Sequence, residues 1–158
     1  MNTENNKMLV KRFVEAHNRQ NLKQLGDLLA PDFKAHIAGM DQPLNREDYL
    51  QGIRMAHQAF SNLTSIIQDM VAEDEKVAAR ILAQGKHTGA YIGIKPTGNQ
   101  VKFNGMVIRR IVGGQVIEEW QTFESICLKS NMPAYEALNL FFCSFSSLSI
   151  FSLSTCIG

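Results

Sequence analysis

Proton-transfer chemistry in this chain would rest on a small set of side chains, and most of them fall between Gly85 and Glu124: His87, Arg109, Glu118, Glu119, Gln121 and Glu124. A carboxylate buried among apolar side chains is pushed toward its neutral form by desolvation, and such a group can take a proton from carbon next to a carbonyl. Glu119 is the candidate for that role if the hairpin register turns it inward; otherwise it is an exposed strand residue. An imidazole can act as acid or base, or donate a hydrogen bond to the enolate that forms, which makes His87 the second candidate. Arg109 on an inward row would need a carboxylate partner, either Glu119 or an acid on a bound molecule, and pairing with Glu119 would weaken that residue as a base. Glu124 is expected in an outer-face ion pair with Lys102. His17 and His57 lie on or beside the apolar stripes of helical segments, where packing is the expected role. No metal site is expected, because His36, His57 and His87 lack paired carboxylates at ligand spacing.

These side chains need elements to position them. From Glu4 to Gln20 the residues Leu9, Val10, Phe13, Val14, Ala16 and His17 recur at spacings of three and four, the pattern of one helical face. Asn21 is a suitable cap for a short second helix that Pro31 would stop. Phe33 to Ala38 reads as extended. Asn45 with Asp48 three residues later starts a third helix, with Tyr49, Ile53, Ala56 and Phe60 on one stripe. Strand-like segments follow at Thr64–Ala72, Val77–His87 and Val101–Glu124, the last a hairpin around Gly113-Gly114. The order of helices followed by antiparallel strands predicts an α+β fold.

Along Val77–His87 the residues Val77, Ala79, Ile81, Ala83, Gly85 and His87 share one face, so His87 ends an apolar inward row. The hairpin admits two registers. A two-residue turn pairs Val112 with Gln115, Val107 with Trp120 and Arg109 with Glu118; a three-residue turn pairs Ile111 with Gln115, Phe103 with Phe123, Gly105 with Gln121 and Val107 with Glu119. One residue of slip decides which polar groups face the core.

A chain of 158 residues with 45% apolar content supports one sizeable core. Sixteen basic against 15 acidic side chains leave no basic stripe of the kind nucleic acid requires. The polar start, Met1 to Asn6, lacks a secretory pattern, so a cytoplasmic location is expected. Cys127, Cys143 and Cys156 are odd in number and widely spaced, which reads as free thiols. The stretch from Asn139 to Gly158 is uncharged and rich in Phe, Ser and Leu. Its serines and missing basic flanks argue against a membrane anchor.

Several motifs share an order and spacing: Asn18-Arg19-Gln20-Asn21-Leu22, Ala30-Pro31-Asp32-Phe33 with His36, Val77-Ala78-Ala79-Arg80, Gly85-Lys86-His87-Thr88-Gly89, Pro96-Thr97-Gly98, and Arg110-Ile111-Val112-Gly113-Gly114 followed by Glu118-Glu119-Trp120. Over about residues 7–130 the chain resembles the SnoaL-like polyketide (ester) cyclase family. The resemblance implies the cone-shaped barrel of the nuclear transport factor two superfamily: a strongly curved antiparallel sheet wrapped around a pocket that three N-terminal helices close. It implies ring closure of a polyketide ester by intramolecular aldol condensation, without metal or cofactor. The family's acid/base aspartate falls on Gln121 and its assisting histidine on Val107, and an amide cannot take a proton from carbon at neutral pH. The resemblance also implies the three-residue turn, with positions 107, 119 and 121 on one face, and places His36 toward the pocket mouth.

The expectation is therefore one domain over 1–135 with an extension over 136–158, and a pocket in which Glu119 and His87 do the chemistry while Gln121, His36, Arg109, Phe103, Val107 and Phe123 hold the substrate. A cofactor-free cyclase, isomerase or hydratase acting on a small hydrophobic, oxygenated molecule such as a polyketide or terpenoid is the first reading. A non-catalytic small-molecule-binding protein on the same fold is the second. Met106, Ile108 and Trp120 on the outer face predict a homodimer.

Overall fold

The computed structural model describes residues 2–91 and 93–124. Helix α1, Thr3–Asn18, begins where Asn2 turns its side chain back to accept from the Glu4 backbone N–H, and it buries Leu9, Val10, Phe13, Val14 and Ala16. Its far end is tied to the sheet. The Asn18 amide donates to the Ser65 carbonyl (2.9 Å) and accepts from the Ser65 N–H (2.7 Å), so one side chain satisfies both backbone groups of an edge-strand residue. Helix α2, Leu22–Leu28, has the expected Asn21 cap. Helix α3, Arg46–Ala59, is capped by Asn45, whose side chain accepts from the Asp48 N–H at 2.9 Å.

The strands are β1 (Leu29–Ile37), β2 (Leu44–Asn45), β3 (Phe60–Glu73), β4 (Lys76–His87), β5 (Gln100–Val112) and β6 (Gln115–Phe123). They form a single sheet in the order β2-β1-β6-β5-β4-β3. Two expectations are corrected here. The sheet is mixed, because β1 runs parallel to β6, and it is open, with β2 and β3 at its edges. Pro31 does not stop α2 either: the helix ends at Leu28, and Pro31 lies within β1 where the pairing with β6 skips from Leu29 to Lys34. A residue without an N–H is tolerated in that gap.

The hairpin takes the expected two-residue turn, but beyond it the pairing follows neither expected register. Gly113 (φ 60°) and Gly114 (φ 80°) make a two-residue turn with both central residues in the left-handed region, which pairs Val112 with Gln115 and Ile111 with Val116. Ile117 is then an extra residue in β6, and beyond it Arg110 pairs with Glu118, Arg109 with Glu119, Val107 with Gln121 and Gly105 with Phe123. The bulge turns every following side chain of β6 over. It brings 107, 119 and 121 onto one face, as the family pattern implies, by a different device from a three-residue turn.

Helices α1 and α3 cover the inner face, and a continuous core runs from Val10 and Phe13 through Phe33, Tyr49 and Ile53 to Val77, Val107 and Ile111. A second cluster around Phe60, Tyr91, Val101 and Phe103 closes the other end. On the outer face Val71, Ala78, Ile108, Trp120 and His36 lie opposite one another in a row across five strands. The segment 136–158 and the three cysteines lie outside the described residues.

Candidate functional site

Between the inner face and the helices lies a cavity of about 140 Å³. On this measure a single water needs about 10–15 Å³, so the space suits a small organic molecule. Strands β5 and β6 supply Phe103, Val107, Arg109, Gln121 and Phe123; α1 supplies Phe13, Val14 and His17; α3 supplies Tyr49, Ile53 and Ala56. The alternation of β5 dictates this lining, since Phe103, Val107 and Arg109 are buried while Met106 and Ile108 between them face outward.

One wall is polar. Glu119 is 0% exposed and holds two partners: Arg109 Nε donates to Oε2 at 2.6 Å and the Tyr49 hydroxyl donates to Oε1 at 2.8 Å. The arginine side chain is 6% exposed and its guanidinium lies 4.2 Å over the Phe13 ring. Burial, the largest single influence on Arg109, would lower its pKa, but the Glu119 charge together with Tyr49 and the hydrogen bonds to both outweighs it, and the net shift is upward. Burial, and then the Glu119 charge, push the Tyr49 hydroxyl well above its ordinary range, so it stays a donor. Arg109 Nη1 is buried with no hydrogen-bond partner.

Of the residues singled out from sequence, Gln121, Arg109, Phe103, Val107 and Phe123 line this cavity together. Glu119 stands behind them, with both carboxylate oxygens occupied by Arg109 and Tyr49. His36 is elsewhere: Ala35 and Ile37 are the buried residues of that stretch, and His36 projects outward, stacked on Trp120 (5.5 Å, 8° between planes) and 2.8 Å from Glu118. That corrects the expectation of a mouth residue. His87 ends its inward row as expected and is fully buried, yet it does not line the cavity. Its Nδ1 lies 3.0 Å from the Thr97 hydroxyl and accepts from the Thr97 N–H at 3.3 Å, fastening Thr97 to the end of β4. Glu124 bonds to the backbone and side chain of Asn104, both at 3.0 Å, in place of the expected Lys102.

One contributor was missed, and another was expected only to pack. Tyr49 looked like one more stripe residue of α3, and nothing local marks its hydroxyl as a carboxylate partner. His17, expected to pack, follows Phe13 by four and Val14 by three on the apolar stripe of α1, and it also lines the cavity. Its ring lies 4.8 Å from that of His57, and burial, with the neighbouring imidazole second, pulls its pKa down to about 4. Among the described residues no group of three or more His, Cys, Asp or Glu is placed to hold a metal ion.

Residues 7–130 match the family model of the SnoaL-like polyketide cyclases. The chain belongs to this family. Among solved structures, this SnoaL-like chain is similar to AclR from Streptomyces galilaeus, provisionally described as a hydroxylase, at 27% identity and a TM-score of 0.72, covering 77% of this chain and 76% of that one. IdmH from Streptomyces antibioticus, provisionally described as a polyketide cyclase, matches at 26% identity and a TM-score of 0.69, covering 84% of this chain and 97% of that one. A SnoaL-like protein from Jannaschia sp. CCS1 shares the fold at 18% identity and a TM-score of 0.71, covering 77% of this chain and 87% of that one. No functionally curated protein matches this chain. No helix among the described residues is long and apolar enough to cross a membrane.

Proposed function

We propose that this SnoaL-like protein takes a small hydrophobic, carbonyl-bearing molecule, of the polyketide or terpenoid kind, into the cavity and performs cofactor-free acid/base chemistry on it. The observation that carries the reading is the unpartnered Nη1 of Arg109 at a buried wall of an otherwise largely apolar cavity. A buried donor left without an acceptor costs about 1–3 kcal/mol, which a ligand oxygen recovers. Gln121, diagonally across the hairpin from Arg109, offers a further amide donor.

The charge balance of the wall indicates which oxygen fits. Arg109 is already neutralised by Glu119, Tyr49 is protonated and His17 is neutral above pH of about 4. A carboxylate would bring an uncompensated negative charge into a desolvated site, whereas a ketone or ester oxygen accepts from Nη1 at no such cost. Glu119 in this reading orients Arg109 and is not the base.

The test is a ligand series of one shape. In titrations followed by NMR, 2-tetralone should bind about tenfold tighter than tetralin, which lacks the oxygen, since a hydrogen bond from a charged donor contributes about 1.5–3 kcal/mol. Tetralin-2-carboxylate should bind more weakly than the ketone. Equal binding of ketone and hydrocarbon, or a preference for the carboxylate, sinks the proposal.

A second reading, a binding protein without turnover, has one observation in its favour: both oxygens of Glu119 are occupied and the family's acidic position carries Gln121. Tight binding of ketones with no proton exchange would establish it. We extend the proposal to a homodimer in which a second copy covers the outer row containing Ile108 (39% exposed) and Trp120, flanked by Met106 (48% exposed). Light scattering that gives a monomeric mass at micromolar concentration removes this part.

A further inference from the structure

His17 and His57 hold three buried ring nitrogens with no hydrogen-bond partner: Nδ1 of His17 and both nitrogens of His57. Neutral imidazole has one donor and one acceptor nitrogen, and leaving them bare in a packed interior is costly. Both residues are only half-buried, yet these nitrogen atoms are shut away from solvent. His17 opens into the cavity, while His57, in contact with it at 4.8 Å, borders a separate depression lined by Gln20, Leu22, Arg54 and Gln58.

We propose that His17 is the proton-transfer residue of the cavity and that His57 behind it is a positioning residue that sets its basicity and stands between it and the outer depression. The proposal rests on the carbonyl-binding reading above. With a ketone oxygen held by Arg109 Nη1, neutral His17 takes the proton from the carbon next to the carbonyl. The C–H electron pair becomes the enolate double bond, and the carbonyl π pair moves to the oxygen that Arg109 holds. Return of a proton from the imidazolium to carbon restores the ketone, so no oxidant or co-reactant is consumed.

Charges felt at His17 come from His57 on α3 and Arg109 on β5, both of which oppose its protonation, while Asn18 on its own helix favours it. The free imidazole is therefore a weak base kept in its neutral, proton-accepting form. The negative charge that develops on the substrate next to it favours the imidazolium and strengthens the base as the reaction proceeds.

The test uses the full chain with 2-tetralone in deuterated buffer, following loss of the proton signal next to the carbonyl by NMR between pH 4 and 8, with affinity measured in parallel. The wild type should accelerate exchange saturably, and His17→Gln should lower the bound-state rate about a hundredfold, the order expected for loss of a general base, with affinity changed less than threefold. His57→Gln should keep exchange but move the acid limb of kcat/KM to higher pH, because it removes an imidazole that disfavours His17 protonation. That movement is a readout a merely structural histidine would leave unchanged. Thermal melts of each variant separate misfolding from chemistry. Exchange by His17→Gln at the wild-type rate overturns the assignment. So does binding by the wild type without exchange, which leaves the carbonyl-binding part of the reading intact. Failure of 2-tetralone to bind at all overturns that reading and this inference together.

Discussion

Replacing Glu119 with glutamine removes one negative charge from the buried wall and changes almost no volume. Arg109 then keeps its positive charge with a side chain only 6% exposed and no counterion. Breaking a buried ion pair from one side costs about 3–5 kcal/mol, and the amide oxygen can still accept from one of the two donors, so the lower end, about 3 kcal/mol, is expected. For a domain of this size each kcal/mol corresponds to roughly 3–5 °C, giving a fall in Tm of about 10–15 °C. Arg109→Met should be at least as costly, because it strands the carboxylate. The double variant Arg109→Met/Glu119→Gln should lose less than the sum of the singles by at least about 1 kcal/mol, as expected of residues in direct contact. Urea unfolding with matched m-values is the assay. The charge change also reverses ligand preference: the wall of Glu119→Gln carries a net positive charge, so tetralin-2-carboxylate should overtake 2-tetralone. Singles costing under about 1 kcal/mol, additive effects, or an unchanged ligand order would each refute the account of a neutralised, buried Arg109–Glu119–Tyr49 wall.

His17 makes stability depend on pH in a defined direction. Its folded pKa of about 4 lies below the ordinary 6.5, so the unfolded chain binds the proton more readily; stability is full above about pH 6.5 and falls as pH drops toward 4. A difference of 2.5 units corresponds to at most roughly 3 kcal/mol, reduced by the ring surface that faces the cavity. His57, lowered chiefly by burial, acts in the same direction, and denaturant midpoints at pH 7 and pH 4.5 for the wild type and His17→Gln should show a shallower loss in the variant. At Gly105 an added Cβ would overlap the Phe123 ring, which stands directly across the hairpin and packs edge-on against Phe103. Gly105→Ala should therefore cost about 1–3 kcal/mol and weaken ligand binding, as read from melts and 2-tetralone titrations.

Local sequence determined the elements and most of the cavity lining. Asn21 and Asn45 cap their helices because a short acceptor side chain satisfies a free N–H of the first turn. Phe103, Val107 and Arg109 face inward because strand alternation has a period of two, and the order of the motifs was enough to indicate the SnoaL-like family. What periodicity cannot encode is a relation between segments far apart in the chain. The bulge at Ile117 looks like any other β-branched residue, yet it decides that Glu119 and Gln121 turn inward. The parallel pairing of β1 with β6 sends His36 outward against Trp120, and only the packing of α3 against β1 and β3 brings the Tyr49 hydroxyl to Glu119. Sequence supplied Glu119 as a carboxylate in a dry place. Tertiary structure supplied its two donors across 70 and 10 residues of chain, and that occupancy, rather than the residue's identity, makes it an anchor for Arg109.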